Sequence, residues 1–467
     1  MPRLVARVRL APFGGAIYGP PRMAEIVPFR AVRFAERRGR ALADLLAPPY
    51  DLVSPRDAAE LRARNPRNIA HLSAADLEGT IPGPRFARAA QEWTRWLAEG
   101  VLERDASASF YPVEQAFFAP DGHQLRRRGF VAALRLHDLS EGVVIPHERT
   151  HPAIEQERLE LLRASGVNFS APLGLYADER GQVEAALDEA TSGSPVSDTD
   201  TEDGVHLRLW QAERPESQAR LAALVEDQRV ILADGHHRYL AALAYERALD
   251  AATKGLPPGG GHRYVLAMLC ALSDPGLVVY PVHRLVRGLP GFSLGPFLAA
   301  LSRFFAVETL EEDLRRPAGR AWAVSRLAEH ASRSMAFLMI SAEDQRARIL
   351  TLRDDADLDG AGVTPGETGR MIDVNVLHEL VLGHLLGIPP EAILRQEHLS
   401  YARDAEEAVV RVLSGEHALG FLVNPAPLWQ VRVLAEAGGT TPPRSTLFLP
   451  ALPAGLVMRE VDPHGPA

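Results

Sequence analysis

The chain predicts a mixed α/β (α+β) protein built from several regions. Two observations carry this. Short apolar runs rich in β-branched residues alternate with helix-like stretches along the whole length. The 467 residues, 46% hydrophobic and 24% charged, also supply apolar material for sizeable cores in two to three domains. No internal repeat interrupts the alternation.

Taken in order, residues 1–22 carry Arg3, Arg7, Arg9 and Arg22 broken by proline and glycine, without the apolar centre of a secretory signal. They read as a disordered extension, with Met23 as the natural start ahead of a strand-like segment at 25–34. A helix over 55–64 is marked by Ser54 as cap, Pro55 at its first position and Asp57 three residues after the cap. Residues 84–102 place Phe86, Trp93, Trp96, Leu97 and Val101 on a helical period. Strands at 110–118 and 129–136 form a hairpin through Asp121-Gly122. Residues 153–163 are helical and close on Ser165-Gly166 as a left-handed cap. The Ser/Thr/Asp/Gly-rich stretch 190–204 reads as a solvated loop, and 255–261 and 354–366 as further breaks. This divides the chain into regions 23–135, 136–290 and 291–467.

Counts exclude several chemistries. Fifty-one basic against sixty acidic residues give a net charge of -9, which disfavours a nucleic-acid binder. The single cysteine, Cys270, lies in an apolar run and reads as core; an intrachain disulfide, a cysteine zinc site and an iron–sulfur cluster are excluded. The single lysine, Lys254, precedes Gly255, so there is no P-loop. Phosphate handling would fall to arginine, histidine and backbone amides. No window supplies the roughly 20 apolar residues of a membrane span, and a cytoplasmic protein is expected.

The sharpest local feature is a short apolar strand, 230–234, then the tight turn Asp234-Gly235, then a helix opening on His236, His237 and Arg238. Amides without intrahelical partners and the helix dipole favour an anion there, and arginine adds forked donors. Asp234 stands at the strand end, where it can bind a metal or accept a proton. A second cluster is Pro146-His147-Glu148-Arg149-Thr150-His151-Pro152. It matches the His-Glu-x-x-His zinc pattern, but Pro152 disfavours helix at His151. A loop presenting Glu148 and Arg149 to a cleft is expected instead. The acidic run from Asp355 to Gly360 begins like a calcium loop, but Gly366 occupies the twelfth position, so it reads as a solvated loop. Near the C-terminus, Arg444, Ser445 and Thr446 follow Pro442-Pro443 and could hold an anion or form a plain connection.

In order, Val27-Pro28-Phe29-Arg30, Ala47-Pro48-Pro49-Tyr50-Asp51, Pro146-His147-Glu148-Arg149-Thr150, Glu157-Arg158-Leu159-Glu160-Leu161-Leu162-Arg163, Ala233-Asp234-Gly235-His236-His237-Arg238-Tyr239, Val282-His283-Arg284 and Pro442-Pro443-Arg444-Ser445-Thr446 resemble the domain of unknown function 1015 (DUF1015). The resemblance spans about residues 25–459. Where that family commonly carries lysine, this chain has Arg444 and Ala451. The Asp-Gly-His-His-Arg element also resembles the phosphate-binding core of ParB-like proteins, sulfiredoxin and free-serine kinases.

That second resemblance implies a ParB/sulfiredoxin-like core around the turn, with nucleotide or polyphosphate bound at Gly235, His236, His237 and Arg238. Asp234 becomes the metal or base candidate; Glu148 is added as a second carboxylate from its own loop cluster, not from a motif shared with the kinases. The expected function is a phosphotransferase moving a phosphoryl group from ATP, ADP or pyrophosphate, with Mg2+, to a small hydroxylated metabolite, free serine first. Arg149, Arg284, Arg444 and Ser445 are candidates for binding the acceptor. A phosphatase of a small phosphorylated metabolite and a non-catalytic nucleotide-binding regulator are the alternatives. A small molecule is the expected partner, with neither nucleic acid nor membrane.

Overall fold

Ser54 accepts the Asp57 N–H and Asp57 accepts the Ser54 N–H, and this reciprocal capping box starts the helix Pro55–Arg64 where the sequence places it. The computed structural model describes residues 23–74, 82–119, 122–178, 180–363, 369 and 372–466. The extension 1–22, Asp121 of the hairpin turn and Gly366 of the acidic loop lie outside them.

Among the described residues the larger sheet has nine strands. Its order is Val144–Pro146, Val230–Asp234, Leu173–Tyr176, Tyr264–Ala271, Gln124–Arg135, Tyr111–Phe118, His206–Leu209 and Ser197–Asp200, with Ile26–Val27 also pairing to Gln124–Arg135. Tyr264–Ala271 is buried along its whole length. Leu266, Met268 and Cys270 join the apolar layer of Phe29, Trp93 and Trp96, while Val265, Ala267 and Leu269 join the opposite layer of Phe130 and Tyr239. A strand covered on both faces reads as a continuous apolar run rather than an alternating one. Cys270 is core, as its surroundings in the sequence predict.

Several elements differ from expectation for identifiable reasons. The segment at 25–34 splits into Ile26–Val27 and Val32–Phe34, which pair with different strands. Pro28, between them, has no N–H to continue a ladder. The second helix runs Pro82–Ala98; Gly100, at φ +70, then turns the chain into the strand Leu102–Arg104. The polar stretch 190–204 contains the edge strand Ser197–Asp200, whose partner is His206–Leu209. Backbone pairing and burial of Ser197 and Thr199 override its weak β propensity. The hairpin of Tyr111–Phe118 with Gln124–Arg135 and the helix Pro152–Ser165, capped at Gly166 with φ +64, form as expected.

The smaller sheet runs Phe305–Thr309, Ala347–Leu352, Ala336–Ser341, Leu419–Leu422, His283–Val286 and Leu399–Ala402. The chain then returns. Leu447–Leu449 pairs with Val278–Tyr280, and Arg459–Glu460 pairs with Val167–Asn168. The return path carries residues 441–446 past the edge of the larger sheet. Among the described residues no helix is long and apolar enough to cross a membrane.

Candidate functional site

Val144–Pro146 and Val230–Asp234 are parallel neighbours, with Leu232 opposite Pro146. Both therefore leave the sheet at the same edge, where open α/β sheets present their ligand crevices. This brings 147–151 beside 234–238. The ladder of Val230–Asp234 with Leu173–Tyr176 slips between Leu232 and Asp234, a bulge that re-aims the last residue of the strand.

Gly235 turns the chain at φ +79. A Cβ there would stand 2.9 Å from the Pro172 Cα and 2.9 Å from the Arg238 Nε, so both conformation and space require glycine. The helix His236–Ala252 has no side-chain cap, and its first bond runs from Tyr239 N–H to Gly235 C=O at 3.0 Å. The amides of His236, His237 and Arg238 precede that bond and make the positive end of the helix.

Arg238 is 9% exposed. Its Nη2 donates to Asp234 at 3.0 Å, and its Nη1 donates to the Ser170 hydroxyl at 3.1 Å and the Ala171 carbonyl at 3.0 Å. The same Nη2 lies 3.6 Å from Asp51 Oδ2, so one guanidinium gathers two carboxylates. Burial pushes the Asp51 carboxyl above its ordinary range and the Asp234 charge adds to this, with Arg238 opposing. Asp51 Oδ1 is buried with no hydrogen-bond partner among the described residues. Arg403 donates to the Leu52 carbonyl at 2.9 Å and the Asp51 carbonyl at 3.1 Å, anchoring the turn Tyr50–Leu52 to the smaller sheet.

The histidines divide by partner. His147 is buried; its Nδ1–H donates to the Leu232 carbonyl at 2.8 Å and its Nε2 accepts from the Thr446 hydroxyl at 2.7 Å. Burial lowers its pKa to about 4. His236 crosses it edge-on at 4.9 Å, and its Nε2 has no partner among the described residues. His237 Nε2 accepts the His151 N–H at 2.9 Å, and burial lowers its pKa to about 4. His151 caps the helix Pro152–Ser165, accepting the Ala153 N–H at 3.2 Å. His147 and His151 thus lie in a loop and at a cap, with no zinc-binding helix, as Pro152 predicts.

Glu148 bridges in parallel to Thr441. Its carboxylate accepts the Arg444 N–H at 2.8 Å, the Ser445 N–H at 2.9 Å and the Thr446 N–H at 3.4 Å. Burial outweighs these donors and pushes its pKa up to about 7. Arg444, at φ +58, aims these amides inward while its exposed side chain stacks on Tyr401 at 5.3 Å. The Ser445 hydroxyl donates to the Pro442 carbonyl at 2.5 Å. Arg284 lies behind this loop with no exposed surface. It donates to His378 Nε2 at 3.1 Å, to the Arg444 carbonyl at 3.1 Å, to Ser445 Oγ at 3.3 Å and to the Val282 carbonyl. Arg149 is exposed beside Glu148, lining a pocket of ≈ 300 Å³ with Thr150, His236 and Leu240.

The sequence-derived residues around 148–149, 234–238 and 444–445 thus converge on one sheet edge, with Arg284 buried behind it. Asp51, Tyr50, His151, Tyr401 and Arg403 join them without having been singled out for the site. Tyr50 and Asp51 carried a signal, the Ala-Pro-Pro-Tyr-Asp motif, but 183 positions separate Asp51 from Asp234. Among the described residues no three His, Cys, Asp or Glu side chains have metal-holding geometry. Magnesium commonly takes only one or two carboxylates together with substrate phosphates, and Asp234 fits that mode.

No curated protein matches the chain. Among solved structures it is similar to a free serine kinase variant in complex with AMP (14% identity, TM-score 0.36, 68% of this chain and 89% of that one). It is also similar to a conserved hypothetical protein from Pyrococcus furiosus (14%, 0.34, 69% and 92%). A third is SbnI with a C-terminal truncation from Staphylococcus aureus (11%, 0.33, 69% and 84%). The family model for the protein of unknown function DUF1015 matches residues 26–375, more than half of the chain, which therefore belongs to the DUF1015 family.

Proposed function

We propose that the chain is a cytoplasmic phosphotransferase that moves a phosphoryl group from a nucleotide or pyrophosphate to a small hydroxylated metabolite, free serine first. The observation that carries this reading is the meeting of Asp51 and Asp234 on Arg238, beside an uncapped helix start. The free amides of residues 236–238 and the exposed cations Arg149 and Arg444 suit the donor phosphates. A magnesium ion held by Asp234 and the phosphates would supply charge neutralisation.

Asp51 is the base in this reading. Its raised carboxyl pKa makes it a better proton acceptor than an ordinary aspartate, and Oδ1 is free to receive a hydroxyl proton. The acceptor oxygen forms its bond to phosphorus as the donor's P–O bond breaks; the proton passes to Asp51 and the donor leaves one phosphoryl shorter. Both oxygens of Glu148 are engaged by amides, so Glu148 holds the loop 444–446 in place.

The test is mass-spectrometric detection of phosphorylated product. The protein is incubated with serine and a panel of small hydroxy-metabolites, with magnesium and ATP, ADP or pyrophosphate in separate reactions. A product lost in Asp51→Asn and Asp234→Asn supports the reading. Donor binding without product for any pair overturns it in favour of a nucleotide-binding regulator. Dephosphorylation of phosphoserine without the forward reaction overturns it in favour of a phosphatase.

A further inference from the structure

Tyr50 and Arg158 belong to two of the sequence motifs, and neither has a part in the chemistry above. They meet at a cavity of ≈ 50 Å³ that also borders Arg238, Ser170, Leu162 and Phe169. The Arg158 guanidinium stacks on the Tyr50 ring at 4.0 Å. Both arginines are nine-tenths buried, at 7% and 9% exposed. Each spends its Nη atoms on the protein. Arg158 donates to the Ser73 carbonyl at 2.9 Å and to Glu157 at 2.5 Å; Arg238 donates to Ser170, Ala171 and Asp234. In both, Nε has no partner among the described residues, nor does the buried Tyr50 hydroxyl.

One cavity is thus bordered by three residues that each carry a buried hydrogen-bonding group without a partner among the described residues: two N–H donors that cannot accept, and a hydroxyl that can donate. Leaving such groups unmet is unfavourable, because each has lost its water without gaining a partner. Two lone arginine donors and a hydroxyl, backed by apolar Leu162 and Phe169, match a group that only accepts, which is a carboxylate on a short carbon chain. The room equals roughly four water-sized groups, enough for a carboxylate with a carbon or two but not for a phosphate ester with its sugar. Tyr50 also adjoins Asp51 in the chain, and Arg238, which borders the cavity, lies 3.6 Å from Asp51 Oδ2 through its Nη2.

We propose that this cavity is the carboxylate subsite of the acceptor, taking a hydroxy- or amino-acid of two to four carbons on Arg158 Nε, Arg238 Nε and the Tyr50 hydroxyl. The word acceptor rests on the phosphotransfer reading; carboxylate binding does not. Calorimetric titration of the full chain, with and without ADP, would compare L-serine with ethanolamine and D-glycerate with glycerol. The carboxylate-bearing member of each pair should bind at least about tenfold tighter. Tyr50→Phe keeps the ring under Arg158 and should weaken serine and glycerate about 10- to 100-fold, the value of one hydrogen bond to a charged group. Equal binding within each pair, no binding at all, or unchanged affinity in Tyr50→Phe would overturn the subsite and leave the cavity to water. Tyr50-dependent carboxylate binding without phosphorylated product supports the subsite while overturning the phosphotransferase. Product formation with an acceptor KM unmoved by Tyr50→Phe does the reverse.

Discussion

His147 bolts the strand Val230–Asp234 to the returning C-terminal segment, and its protonation should loosen both. The ring is fully buried, donating to the Leu232 carbonyl and accepting from Thr446. Burial holds its pKa at about 4 against an ordinary 6.5. A histidine with a depressed folded-state pKa binds fewer protons folded than unfolded between those values. Its contribution is therefore complete above pH 6.5 and is lost as pH falls toward 4. Linkage across that window gives about 2 kcal/mol lost by pH 5 and about 3 kcal/mol by pH 4. His147→Asn keeps a donor for Leu232 and removes the titration. Urea unfolding followed by tryptophan fluorescence, at pH 7.5 and pH 5.0, would measure the difference between the two chains. Wild type should lose about 2 kcal/mol more than the variant over that interval. Glu148, one position away, titrates in the opposite sense. Its raised pKa makes stability fall as pH rises from about 4.5 to about 7, but it is present in both chains and cancels. Equal losses in the two chains, within about 0.5 kcal/mol, would refute the reasoning.

Three further outcomes follow from the same geometry. Asp51→Asn should lower kcat about 10²- to 10⁴-fold and abolish the acid limb of the pH–rate profile, with urea stability close to wild type; retained turnover would remove Asp51 as the base. Glu148→Gln sets an amide N–H against an amide N–H of 444–446 and should cost about 1–3 kcal/mol in urea titrations. Unchanged stability with lost turnover would instead assign the base to Glu148. Gly235→Ala forces a side chain into φ +79 and against Pro172, which should cost about 1–3 kcal/mol and weaken phosphate binding in a thermal-shift titration; a neutral result would contradict the described turn.

The local signals were strong where a single short segment contains its own cause. The Ser54/Asp57 box, the glycine after Ser165 and the strand–turn–helix at 230–252 depend on neighbours within a few positions, and sequence reasoning places them closely. The polar strand Ser197–Asp200 was hidden because its stability comes from the ladder to His206–Leu209 and not from its own composition. The break at Pro28 is legible afterwards in the missing N–H, yet each half of that segment chooses its partner through distant contacts.

The candidate site divides along the same line. Residue types at one turn, Asp234 through Arg238, already specify an anion-favouring helix start, because amide geometry and the glycine turn are set by the local chain. The pairing of Val144–Pro146 with Val230–Asp234 brings Glu148 beside them, and no spacing in the sequence encodes a parallel pairing across 86 residues. Asp51 reaches Arg238 from 187 positions away, while Glu148 is claimed by the amides of 444–446. Which carboxylate is free to take a proton is thus decided by tertiary structure alone, since hydrogen-bond occupancy and burial belong to the folded neighbourhood and not to the residue.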